Sequence, residues 1–118
     1  MPRVLLVDDE PAILRLLQTV LAMADFEIAT ARSAADAVLR LHQEPFDLVL
    51  TDMRMETVTA GYDVVKAALK LHPRPKIVIL TAFPVPATQW KSSGADALIV
   101  KGTDICNLPE QLRELMGR

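Results

Sequence analysis

The chain has 118 residues, 13 Lys and Arg against 15 Asp and Glu, a formal net charge of −2 and one cysteine. That length fits a single domain, residues 1–118, while the balanced charge argues against nucleic acid or an anionic membrane as partner, and one cysteine excludes an intrachain disulfide framework or cysteine zinc site. No apolar run approaches the roughly 20 residues of a membrane span and no signal peptide is visible, so a reducing cytoplasm is the expected setting.

Apolar runs alternate with segments of helical period, the pattern of βα units on a parallel sheet. A first strand, Arg3 to Val7, runs into Asp8-Asp9-Glu10. Pro11 fits the first turn of a helix that places Ile13, Leu16, Leu17, Val20, Leu21 and Ala24 on one face. A second, less apolar strand spans Glu27 to Ala31. Ser33, three residues before Asp36, is spaced as the N-cap of a helix carrying Val38 and Leu41 inward. The third strand, Phe46 to Thr51, ends at Asp52. A third helix starts near Gly61 or Tyr62, presents Val64, Val65, Ala68 and Leu69, and is ended by Pro73. The fourth strand, Lys76 to Leu80, delivers Thr81. Pro84 and Pro86 then confine a short helix to about Ala87 to Ser93, with Gly94 as C-cap. The fifth strand, Ala97 to Val100, leads to Lys101, and the last helix runs from about Leu108 to Met116 with Asn107 and Glu110 spaced as a capping box. Tyr62, Phe83 and Trp90 are expected in the core or at a covered edge, with partner contact a second reading for Trp90. Cys106 is expected to pack near the last helix, and His42 and His72 to complement helix C-termini.

In an open parallel α/β sheet the ligand crevice lies beyond the C-terminal ends of the strands. Asp8, Asp9 and Asp52 therefore converge on one edge, where they repel one another unless a cation joins them. A hard divalent ion suits such oxygens, Mg²⁺ first and Mn²⁺ second, and with it phosphoryl chemistry. Thr81 and Lys101 add a hydroxyl and an ammonium to the same edge. Each alone has a plain structural explanation, but the set on four strands of one edge does not.

The strings Val7-Asp8-Asp9-Glu10, Leu50-Thr51-Asp52-Met53-Arg54-Met55, Leu80-Thr81-Ala82, Gly94-Ala95-Asp96 and Lys101 give the chain a resemblance, over essentially its whole length, to the receiver domains of bacterial two-component response regulators. The resemblance implies a flavodoxin-like five-stranded parallel sheet of order 2-1-3-4-5 with helices on both faces. It implies that Asp52 takes a phosphoryl group from a phosphohistidine, and that Asp9, Asp52 and the Arg54 backbone carbonyl bind Mg²⁺ directly while Asp8 acts through a metal-bound water. Lys101, the Thr81 hydroxyl and the backbone N–H groups of Met53 and Ala82 would then meet the phosphoryl oxygens. Such a protein is a phosphoacceptor, not an enzyme beyond slow removal of its own phosphate. Its implied partners are a sensor histidine kinase or phosphotransfer protein, an effector or output domain, and a second copy in a phosphorylation-dependent homodimer.

Several positions depart from the family pattern. Leu98 stands where an aromatic is usual, Gly102 replaces the proline after the lysine so that no cis peptide is expected there, and Glu56 replaces the proline four residues after the nucleophile. The following glycine comes one residue late, and the stretch from Thr81 to Lys101 is short. Phe83 and Arg54 flank the path of hydrolytic water in relatives, and here an apolar ring and a permanently protonated group imply slow loss of phosphate. Two other classes compete. A pseudo-receiver would bind partners without phosphorylation, and a flavodoxin-like cofactor binder would need a phosphate cradle where Asp8-Asp9-Glu10 stands.

Overall fold

The computed structural model describes residues 1–82, 85–101 and 105–117. Five strands, β1 (Arg3–Val7), β2 (Glu27–Ala31), β3 (Leu48–Asp52), β4 (Lys76–Thr81) and β5 (Ala97–Val100), form one sheet in the order β2-β1-β3-β4-β5. All four neighbouring pairs are parallel. Between and after them run α1 (Pro11–Met23), α2 (Ala34–Gln43), α3 (Ala60–Leu69), α4 (Ala87–Ser92) and α5 (Leu108–Leu115), the last preceded by a 3-10 turn over Ile105–Asn107. This is the flavodoxin-like order that the resemblance implies.

The central strands carry continuous apolar runs, Val4–Val7, Leu48–Leu50 and Ile77–Leu80, because both sheet faces are covered there. Leu5, Val49, Ile77 and Ile79 face one core with Val64, Val65 and Ala68 of α3. Val4, Leu6, Leu48, Leu50 and Val78 face the other with Leu14, Leu17 and Leu21 of α1 and Leu108 and Leu112 of α5. Burying such side chains contributes ~1.5–3 kcal/mol each.

Some boundaries and faces differ from expectation. Strand β3 begins at Leu48, since Phe46 is buried in the approach to the strand, with the Arg3 guanidinium 5.2 Å over its ring. On α1 the buried stripe is Leu14, Leu17 and Leu21, whereas Leu16 is 48 % exposed. On α2, Ala34, Ala37 and Leu41 are buried and Val38 only half so. The Ser33 hydroxyl does cap α2, accepting from Asp36 N at 3.0 Å. The Asn107 side chain makes no such cap on α5, because the 3-10 turn leads directly into the helix. Cys106 is exposed rather than buried. Gly94 ends the α4 region at φ +97, a left-handed conformation that glycine adopts without steric cost. Phe83, Pro84 and Gly102 lie outside the described residues, and with them the expectations about water access and the peptide after Lys101. Among the described residues no helix is long and apolar enough to cross a membrane.

Candidate functional site

Strands β1 and β3 end side by side, with Val7 opposite Thr51 in register, so Asp8 and Asp52 emerge as neighbours. Asp52 of β3 in turn pairs with Leu80, and Thr81 of β4 with Val100, which carries Lys101 to the same edge. A backbone bond from Lys101 N to Thr81 O at 2.6 Å fixes that arrival. Asp8, Asp52 and Thr81 are buried, while Asp9 is exposed at the rim. Each of Asp8, Asp9 and Asp52 presents a carboxylate oxygen within 4.8 Å of the others.

The two buried acids are held differently. Asp8 has both oxygens engaged, Oδ1 accepting from Glu10 N at 3.0 Å and Oδ2 from Lys101 Nζ at 2.8 Å. Asp52 Oδ1 accepts from Met53 N at 2.9 Å, and its Oδ2 lies 3.3 Å from the same ammonium. One lysine thus serves two carboxylates. Burial, then the charge of Asp8, raises the Asp52 pKa above its ordinary value, against the opposing pull of Lys101 and the Met53 N–H. Burial alone would lower the Lys101 pKa, but its hydrogen bond to Asp8 and the charges of Asp52 and Asp8 carry it above the ordinary lysine value. An acid held above its usual pKa beside two more acids marks a site short of positive charge, which is the electrostatic condition a divalent ion meets.

The backbone at Asp52 is held by groups that the sequence reading did not single out. Thr51 Oγ1, fully buried, donates to Asp52 O at 2.9 Å. Gly61 N donates to Met53 O at 2.8 Å, and a Cβ on Gly61 would lie 2.5 Å from Asp52 O. The glycine therefore lets α3 start against the chain that carries Asp52; the sequence marks Gly61 as a helix start but carries no sign of this close approach. Met53 and Asp52 are buried, whereas Arg54 and Ala82, the residues that follow Met53 and Thr81, are exposed.

Glu56 takes a part of its own. Its carboxylate accepts from Ala34 N, at 3.1 Å to Oε1 and 3.0 Å to Oε2, and so ties the segment after Asp52 to the first turn of α2. Hydrogen bonds from the backbone of Ala34, Glu56 itself and Ala35 lower its pKa. Because the folded value lies below the unfolded one, this contribution to stability is present above the ordinary glutamate value and is lost as pH falls through the lowered one. Glu56→Ala is expected to lower the melting temperature by about 2 °C at pH 7. In acid, below the lowered pKa, thermal melts of the two proteins should coincide; an equal loss at both pH values would contradict the tether.

The chain matches the model of the response regulator receiver domain over residues 4–113. It is 36 % identical to the response regulator protein PilR of Pseudomonas aeruginosa over 110 residues, 92 % of this chain and 24 % of PilR. The chain spans about a quarter of the length of the curated relatives it matches. Among solved structures it resembles TrrA of Thermotoga maritima, determined in complex with Mg²⁺-BeF, at 33 % identity and TM-score 0.86, covering 98 % of this chain and 99 % of that one. Chemotaxis response regulator CheY4 of Vibrio cholerae gives 28 % identity and TM-score 0.87, with 98 % of each chain covered. By sequence match along nearly its whole length and by the order of its sheet, this chain belongs to the receiver domains of two-component response regulators.

Proposed function

We propose that the chain is a phosphorylation-controlled switch in which Asp52 accepts a phosphoryl group from a phosphohistidine. The observation that carries this reading is the meeting of three acids with one lysine, Asp52 and Asp8 sharing the Lys101 ammonium at 3.3 and 2.8 Å. The donor set fits a hard divalent ion, because three carboxylate oxygens converge without any softer ligand among them. Asp9, Asp52 and the Arg54 carbonyl would hold Mg²⁺, or Mn²⁺ in its place. Asp8, whose oxygens are already committed to Glu10 N and Lys101, would act through water. When bound, such an ion neutralises charge on the transferring phosphoryl oxygens.

The chain's own groups supply the rest. A carboxylate oxygen of Asp52 forms the new bond to phosphorus as the bond to the donor imidazole nitrogen breaks, giving an acyl phosphate and a histidine that takes up a proton. Lys101 offsets the added charge as a point cation. The Thr81 hydroxyl and the N–H groups of Met53 and Ala82 would bind the remaining oxygens, for which Met53 N must exchange its present hold on Asp52 Oδ1. The protein would act as a phosphoacceptor with slow self-dephosphorylation at most, in the cytoplasm, with a histidine kinase or phosphotransfer protein before it. An effector protein or output domain would follow it, with a phosphorylation-dependent homodimer as one form of output. Leu98 in the place of the usual aromatic favours a second reading, a binding module of the same fold that works without phosphate.

Incubation with acetyl phosphate separates the two. The switch gains the mass of one phosphate only when Mg²⁺ is present, whereas a folded protein that gains none would be the phosphate-independent module. Within the first reading, Asp9→Asn should weaken Mg²⁺ binding roughly tenfold and Asp8→Asn less, since only the former removes a direct ligand. Equal losses in a Mg²⁺ titration would contradict these roles.

A further inference from the structure

Beside the acid site lies a cavity of about 220 Å³ whose lining includes Thr81, Met53, Tyr62 of α3 and Gln89 of α4. Tyr62 is half-buried and packs with Trp90 and Leu98 against the core on this face. Its hydroxyl is buried beyond the reach of solvent, and among the described residues it has no hydrogen-bond partner. A buried hydroxyl left unpaired destabilises the conformation that leaves it so, and any conformation that supplies a partner gains by comparison. The cavity leaves room for such a rearrangement.

The helix on the far side of the cavity is the element best able to move. Helix α4 has six residues, and all of them are exposed or half-buried. Gln89 is its polar side chain on the cavity, and its amide both donates and accepts. Thr81 joins the cavity to the acid site, being the last residue of β4 and buried there. Thr81 and Tyr62 line the same cavity, so a shift of the Thr81 side chain toward Asp52 would change the packing around Tyr62 and the space into which α4 could settle.

We propose that Tyr62 is a positioning residue that couples the state of Asp52 to α4, its hydroxyl unpaired in the resting protein and bonded to the Gln89 side chain once the site holds a phosphoryl group. This rests on the phosphoacceptor reading above. Tyr62→Phe keeps the ring and removes the hydroxyl, so the variant should fold and should melt higher than the parent in the resting state. With its partner lost from the active state, it should bind beryllofluoride in Mg²⁺ about fivefold more weakly. Gln89→Ala should show the same weakening, and the double variant no more than either alone.

The single tryptophan, Trp90 on α4, reports the movement directly. Beryllofluoride should change its fluorescence in the parent and change it less in Tyr62→Phe at saturation. Unaltered beryllofluoride affinity and an unaltered fluorescence change in Tyr62→Phe would overturn the coupling while leaving the phosphoacceptor reading intact. Additive losses in the double variant would overturn the pairing with Gln89. A parent protein that binds no beryllofluoride would overturn both the reading and the inference.

Discussion

Asn in place of Asp52 is expected to abolish the acyl phosphate outright, because an amide oxygen cannot form that bond under the same conditions while its shape leaves the fold unchanged. The same substitution should stabilise the metal-free protein. Asp52 is buried next to Asp8, and one ammonium at 3.3 Å from the first and 2.8 Å from the second offsets only part of their repulsion. Removing one negative charge should raise the melting temperature in chelator by about 3 °C. The pH dependence follows from the raised pKa of Asp52, set by burial and then by Asp8. Between the unfolded and folded values the native state binds more protons, so stability falls as pH rises through that window. Metal-free parent protein should therefore melt higher at mildly acid pH than its other groups alone would dictate, and Asp52→Asn should lose that increment. A variant that keeps acyl phosphate would contradict Asp52 as the acceptor, and one that melts lower in chelator would contradict a shared acidic pocket.

The second large effect is structural and reaches the same site. Gly61→Ala places a methyl 2.5 Å from Asp52 O and 2.7 Å from Met53 Cα, both backbone atoms that cannot rotate aside. The start of α3 and the end of β3 must move apart, at a cost of ~2–3 kcal/mol, or a fall of roughly 10 °C in melting temperature. The displaced chain carries the Asp52 carboxylate and the Met53 N–H that now holds its Oδ1. Mg²⁺ binding should weaken along with stability. A Gly61→Ala protein with the parent's melting temperature would show that α3 does not bear on Asp52 as described.

The sheet was legible because its central strands are buried on both faces, which makes runs such as Val4-Leu5-Leu6-Val7 and Ile77-Val78-Ile79-Leu80 continuous in the sequence. The acid edge followed from what stands immediately after those runs. Parallel strands must all deliver their C-terminal residues to one side, so Asp8, Asp52, Thr81 and Lys101 could be placed together without knowing any distance. On α1, by contrast, an apolar residue at nearly every turn position left the stripe ambiguous by one residue. The helix settled with Leu14 at 6 % exposure and Leu16 at 48 %.

Contacts that depend on reach across the fold left little trace in the sequence. Glu56 reads as a surface acid until its carboxylate is seen on Ala34 N, 22 residues earlier. Thr51 reads as a β-branched strand residue, yet its hydroxyl holds the Asp52 carbonyl. Asn107 and Glu110 had the spacing of a capping box, but spacing does not fix the backbone angles a cap needs, and Asn107 adopts φ −85 and ψ −9 at the end of a 3-10 turn. Tyr62 was rightly placed against the core, but nothing in its neighbours along the chain signalled an unpaired hydroxyl.

The proposal that Asp52 receives a phosphoryl group from histidine is met most directly by mixing the protein with a histidine-phosphorylated donor in Mg²⁺, reducing the product with borohydride and mapping the modified residue by peptide mass. Conversion of Asp52 alone, dependent on Mg²⁺, is the predicted result. Modification at another residue, or none in a folded protein that binds Mg²⁺, would contradict it.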